Sequence, residues 1–230
     1  MIDPEGPGAP RSIAIALEAF FGIKGGRLSY LATSERAQLA RYICVVATGR
    51  KGNPCYSVID SGEGQTPWML PQTILSLGKS NKLRIPFVQG KFNMGGTGVL
   101  QFCGQHNLQL VISKRHPSIN PYPDDPTNEL WGVTVVRRED PKEGMRNSVF
   151  TYLAPQGAIL TFDAGSLPLL PDEENKAYVG PLEAGTFIKL YDYDMQNLKT
   201  NVLFDLYNRL SLLTPQIALP VRLYERRGYS

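Results

Sequence analysis

The stretch from Asp60 to Val99 constrains this chain more than any other, because a glycine-rich turn beside an apolar run stands at each end of it. It opens with Asp60-Ser61-Gly62-Glu63-Gly64-Gln65 and closes with Gly95-Gly96-Thr97-Gly98-Val99. The first turn follows the strand-like run Cys55-Tyr56-Ser57-Val58-Ile59, so Asp60 is expected to leave a sheet at its edge with its carboxylate held by backbone. A carboxylate fixed in that way offers one oriented acceptor. The second turn precedes Val99-Leu100-Gln101-Phe102-Cys103, which reads as the first turns of a buried helix. The amides of Gly96 to Val99 would then form a positive helix N-terminus suited to an anion, phosphate above all.

A single glycine cluster is explained well enough by a tight turn that needs positive φ. Here the order and spacing say more. With Ser80-Asn81-Lys82 and Gly90-Lys91-Phe92-Asn93-Met94 between the two turns, the arrangement resembles the GHKL ATPase superfamily, which includes DNA gyrase, heat-shock chaperones and sensor histidine kinases. Asp60-x-Gly62-x-Gly64 resembles that family's adenine-binding box, and Gly95-Gly96-Thr97-Gly98 its glycine-rich phosphate box. Residues 66–94 resemble the lid between them, with Lys82 as the lysine that reaches the terminal phosphate, Ser80 and Asn81 as neighbouring donors, and Lys91 as a second candidate cation. Downstream, Gly185-Thr186-Phe187-Ile188-Lys189-Leu190 resembles the Gly-Thr strand that closes the nucleotide pocket, placing Thr186 near Asp60.

The resemblance implies an α+β fold: a two-layer sandwich of the Bergerat type, a mostly antiparallel mixed sheet with helices over one face. It implies ATP with magnesium as ligands, and a lid whose closure changes contact with a second copy or with further domains of a longer protein. The family's catalytic Glu and the magnesium-binding Asn four residues after it are not found before the hairpin. The helix in the matching place reads Glu35-Arg36-Ala37-Gln38-Leu39, with Leu39 where the Asn belongs, and Glu35 reads as a surface acid that compensates the dipole of its own helix. Either that box lies upstream of residue 1, as the Pro- and Gly-rich start favours, or this chain binds nucleotide without hydrolysing it. ATP hydrolysis, a non-hydrolysing interaction module and a sensor-kinase domain are therefore the functions to weigh. The last has neither an upstream dimerising helix nor a phospho-acceptor, since His106 and His116 both follow the phosphate box.

At 230 residues and 42% hydrophobic content the chain can bury a sizeable core. The division expected is a tail and short helix over 1–32, an ATP-binding domain over 33–214 and an extension over 215–230. A net charge of +3 neither requires nor excludes nucleic acid. Cys44, Cys55 and Cys103 sit in apolar runs, which suits reduced thiols and a cytoplasmic location. Cys103-x-x-His106 is half of a zinc pattern and lacks a second half. No apolar run approaches the roughly 20 residues that span a bilayer.

Local patterning predicts helices over Ile13–Phe21, from Thr33 through Ala40 and over Trp68–Leu77, and a long amphipathic core helix over Leu198–Leu213. It predicts a hairpin of Tyr42–Ala47 with Cys55–Ile59, then strands at 108–113, 130–137, 148–153 and 158–162 in an antiparallel meander. The charge runs 137–140 and 222–227 read as solvated faces.

Overall fold

The computed structural model describes residues 6–76, 85–88, 94–141, 143–144, 146–194, 202–213 and 217–228, with backbone alone for 94, 97, 202 and 203. Helix α1 (Ile13–Phe21) starts at Ser12, whose hydroxyl accepts from the Ile15 amide, and stops at Gly22 in the left-handed conformation. Helix α2 (Thr33–Leu39) follows, capped from Ala32. The apolar alternation after it builds β1 (Ile43–Gly49) and β2 (Pro54–Asp60), paired antiparallel with Ile43 opposite Asp60.

The remaining strands are β3 (Gln109–Lys114), β4 (Trp131–Glu139), β5 (Val149–Tyr152), β6 (Leu160–Phe162), β7 (Leu167–Leu170), β8 (Gly180–Leu182), β9 (Gly185–Leu190) and β10 (Arg222–Glu225). An eight-stranded sheet runs β10-β1-β2-β9-β3-β4-β5, with β6 also on β4; β7 and β8 form a separate hairpin. Every pairing is antiparallel except β1 with β10. The chain is thus α+β with a large, mostly antiparallel sheet.

Strand alternation gives the sheet two faces with different covers. On one face Cys44, Val46, Ile59, Trp131 and Phe187 are buried under the β7–β8 hairpin, with Leu182 in the same cluster and Leu167, Leu170 and Tyr178 packed against it. Trp131 is fully buried and donates from Nε1 to the Ala164 carbonyl, so the largest core side chain is also satisfied. On the opposite face Ala47, Tyr56 and Leu190 meet Cys103 and Val99, while Val111 meets Leu70, Ile74 and Leu75.

Trp68–Leu77 is not a helix over its described part. It forms turns around a single 3₁₀ turn at Leu70–Gln72, and Trp68 is exposed. Pro67 and Pro71 supply no amides, and Thr73 adopts a non-helical backbone while its hydroxyl donates to the Met69 carbonyl. Helix α4 (Val202–Leu213) forms as expected, but Phe204, Tyr207, Leu212 and Leu213 are 64–79% exposed rather than core. It meets β10, and a four-residue edge strand cannot cover so many apolar side chains.

Residues 222–227 also depart from expectation. They lie inside the span expected as an extension, yet supply the outermost strand of the main sheet and are not a solvated run. The Arg226 amide continues the ladder to Ala47, and Arg227 is buried in an ion pair with Glu225, their side chains 2% and 15% exposed. Pairing with β1 puts Arg227 beside Tyr56, where a charge needs its partner close by.

Burial sets the alkaline behaviour. It raises the Cys44 thiol from 9.0 to about 11, Asp60 adding to the effect and Arg222 opposing it, and raises Cys103 likewise to about 11. Each thiol therefore contributes stability that is fully present below its unfolded value and lost as pH rises toward the folded one. Urea unfolding at pH 7 to 8 should give a constant midpoint, with a decline between about pH 9 and 11. Replacing Cys44 by Ser should flatten part of that decline.

Candidate functional site

Asp60, the last residue of β2, pairs with Thr186 of β9, and Thr186 pairs with Ser113 of β3. With Ile43 on one side and Gly132 on the other, they form a row across five adjacent strands. Because pairing partners share a face, the side chains of Asp60, Thr186 and Ser113 project the same way.

The polar atoms in this row are ordered by stoichiometry. The Ser113 hydroxyl lies 2.9 Å from the Gly185 carbonyl and 3.1 Å from Thr186 Oγ1, and accepts from the Gln65 amide at 2.9 Å. Ser113 has one proton, and the carbonyl can only accept it, so Thr186 is the donor to Ser113. That leaves the lone pairs of Thr186, a buried residue opposite Asp60 in the ladder, as acceptors. Asp60 Oδ1 accepts from the Gly62 amide at 3.0 Å, which orients the carboxylate from its own turn.

The glycines fall into two classes. A Cβ on Gly64, whose φ is +66°, would sit 1.9 Å from the Lys114 carbonyl oxygen, and one on Gly185, at φ +121°, would sit 2.0 Å from that of Asp60. Both are demanded by backbone crossing backbone. At Gly95, Gly96 and Gly98 a Cβ would meet nothing within 4 Å. Nothing in the described packing explains these three.

The glycine box has a different local structure from the one expected. Residues Met94–Gly98 form a five-residue helix, α3, and the expected helix over Val99–Cys103 is instead a 3₁₀ turn at Leu100–Phe102. Gln101 donates to the Gly98 carbonyl and Asn107 to that of Leu100, side chains completing what a continued helix would have satisfied. Gly96 and Thr97 thus lie within the short helix, not ahead of a long one. Val99 packs against Ala47, Tyr56 and Leu190, on the same face as Asp60. Tyr56 is four residues before Asp60 on β2, about 13 Å along the strand. Between the two ends, Val58 is 40% exposed beside Ile188.

Ser80, Asn81, Lys82, Gly90 and Lys91 lie outside the described residues. Glu35 is exposed and accepts from the Ala32 amide at 2.6 Å, capping its own helix. Among the described residues no group of three or more His, Cys, Asp or Glu is placed to hold a metal ion, and no helix is long and apolar enough to cross a membrane. Cys103 is buried and donates to the Val99 carbonyl, whereas His106 is exposed.

Sequence reasoning passed over Ser113 and Arg115. The signal was there in Ser113-Lys114-Arg115, a polar run directly after Leu110-Val111-Ile112. Arg115 is buried, and its guanidinium contacts Glu63 and Gln65 in the turn after Asp60.

No protein-family model matches the chain, nor does any curated protein sequence.

Gly64→Ala should destabilise the fold by about 3 kcal/mol or more, since a left-handed backbone penalty adds to a backbone overlap that must be relieved. Gly95→Ala should leave the urea midpoint unchanged within about 0.5 kcal/mol. Equal midpoints for Gly64→Ala and the parent chain would contradict the crossing geometry.

Proposed function

We propose that this chain is an ATP-binding domain of the GHKL type with a Bergerat-like sandwich, in which the nucleotide base is held at the Asp60 end of the sheet. The observation that carries the reading is the row of Asp60, Thr186 and Ser113. It gathers an oriented carboxylate, a buried hydroxyl with acceptor capacity and two glycines that let backbones touch, at the ends of three strands. In this reading Asp60 accepts from the adenine amino group, Thr186 adds a second acceptor beside it, and Gly62 and Gly64 keep the turn low enough for the base to approach. Exposed Val58 offers the base and sugar an apolar floor that leads toward Val99 and the glycine box. The span of about 13 Å along β2 is one that a nucleoside triphosphate bridges. The amides and open faces of Gly95, Gly96, Thr97 and Gly98 would take the phosphates, with Ser80, Asn81 and Lys82 of the 66–94 lid completing their neutralisation.

In this reading the base end would take the ligand, whereas a protein-held magnesium site does not follow from the described residues. Leu39 stands where the resemblance asks for a metal-binding Asn, and no metal-holding cluster is present among the described residues. Magnesium would arrive on phosphate oxygens and water. Closure of the lid, and with it a changed contact to a second copy or a further domain, is the output of binding in this reading.

A second reading, a domain that binds nucleotide without hydrolysing it, is favoured by Glu35. Its carboxylate is engaged with the Ala32 amide, a structural use that leaves the attacking water without a base from this helix.

Asp60→Ala should weaken ATP binding about tenfold or more by calorimetry, the effect of losing a contact worth about 1–3 kcal/mol. Unchanged affinity in a folded Asp60→Ala variant would sink the assignment of the base site. Phosphate release by the unmodified chain should be near background, because lacking a positioned base alone forfeits about a hundred- to ten-thousandfold in rate. Robust turnover abolished by Glu35→Gln would instead make Glu35 the base.

A further inference from the structure

Arg115 is the most buried guanidinium that reaches the Asp60 turn, at 3% exposure, and its position is costly. Its Nε is buried without a hydrogen-bond partner among the described residues, and its partner Glu63 is 53% exposed. For stability alone an apolar residue would serve the end of β3 better than a half-satisfied buried cation. What an apolar residue could not do is grip two side chains at once. One terminal nitrogen donates to Glu63 Oε1 and the other lies 3.4 Å from Gln65 Oε1, the fork geometry that only arginine supplies.

The neighbouring backbone works on the same turn. The His116 amide donates to the Glu63 carbonyl at 2.8 Å, the Gln65 amide donates to Ser113, and Gly64 crosses directly against the Lys114 carbonyl. Residues 113–116 therefore hold 63–65 from beneath at every position. Asp125 is close enough to feel the charge of Arg115, and its own carboxylate is fixed by the Thr127 amide and hydroxyl at 2.8 and 2.6 Å. Burial would raise that carboxyl, but hydrogen bonds from Thr127 and Thr66, with Arg115 nearby, outweigh it and keep it below the usual range. The cation is thus paired with an acid on the turn and influences a second acid on the proline-rich 115–128 loop.

We propose that Arg115 is a positioning residue for the base site: by clamping Glu63 and Gln65 it fixes the turn whose first residue, Asp60, reads the base. The inference rests on the nucleotide reading above and adds the element that sets its specificity end. It acts on the base and not on the phosphates, which gives it a signature.

The test compares the parent chain with Arg115→Lys, which keeps the charge and removes the fork, and with Glu63→Gln at the half-exposed partner, should the lysine variant fail to fold. ATP and ADP binding are measured by calorimetry, and amide exchange is followed by NMR. Arg115→Lys should weaken ATP and ADP by the same factor, about five- to tenfold, as for a lost hydrogen bond. Exchange should quicken at the Gly62 and Gln65 amides while Phe187 and Ile188 of β9 stay protected. Unchanged affinity in the folded variants overturns the clamp. So does exchange that rises through β9 as much as in the turn, because that marks general destabilisation. A parent chain that binds neither nucleotide overturns the nucleotide reading itself, and the exchange arm then still reports whether Arg115 holds the turn.

Discussion

The fold depends on two places where one backbone crosses another with no room for a side chain: Gly64 over the Lys114 carbonyl and Gly185 against that of Asp60. These crossings let the turn after β2 lie directly on the ends of β3 and β9, so that three strands remote in sequence terminate in one patch. Hydrogen bonds then follow from proximity. Ser113 bridges the Gln65 amide and the Gly185 carbonyl, and Asp60 is oriented by Gly62. A Cβ at either crossing would lift the turn and break the whole set together, which makes the patch cooperative instead of a sum of weak contacts.

The two faces of the sheet are covered differently, and the proposed site lies on the less covered one. One face is closed by the β7–β8 hairpin over Trp131, Phe187 and Ile59. The other is covered in pieces, by Leu70 and Leu75 over Val111 and by Val99 and Cys103 over Tyr56 and Leu190, leaving Val58 exposed between them. It is this partly open strip, with a carboxylate at one end and glycines at the other, that the proposed reading assigns to a ligand with a flat apolar part and a polar tail.

How much of this was legible follows from which interactions are local. The β1–β2 hairpin and α1 were readable because their alternation, caps and turn glycines act within a few residues, whereas the strand at Gly185–Leu190 came from the resemblance. The pairing of Asp60 with Thr186 came from resemblance, since no local signal links those positions. What failed was decided elsewhere in the chain. Trp68–Leu77 carries a helix-like apolar pattern, but prolines remove amides it would need, and its Leu70 is buried as a plug on Val111. The hairpin of β7 and β8 was invisible because Pro168 stands opposite Pro181, residues that normally argue against strands yet cost nothing where neither amide is needed. Arg222–Arg227 looked solvated because charge runs usually are; parallel pairing with β1 buries Arg227 against Glu225 regardless. Arg115 was missed for the same reason, a buried cation being expected only where a partner is known.

The two ends of the proposed site are built in different ways, and this bears on what the domain can do. At the base end every polar group belongs to a strand terminus or a turn pinned to one, so recognition there is preorganised and carries little ordering cost. At the phosphate end the glycines of 95–98 sit in a short helix with open space around them, Glu35 is engaged with the Ala32 amide, and no metal-holding cluster is found among the described residues. In the proposed reading, base selectivity and any hydrolysis would therefore draw on separate parts of the chain. If the chain binds nucleotide as proposed, changes at the phosphate end would leave the base end intact, because the crossings that shape it involve none of the residues 95–98.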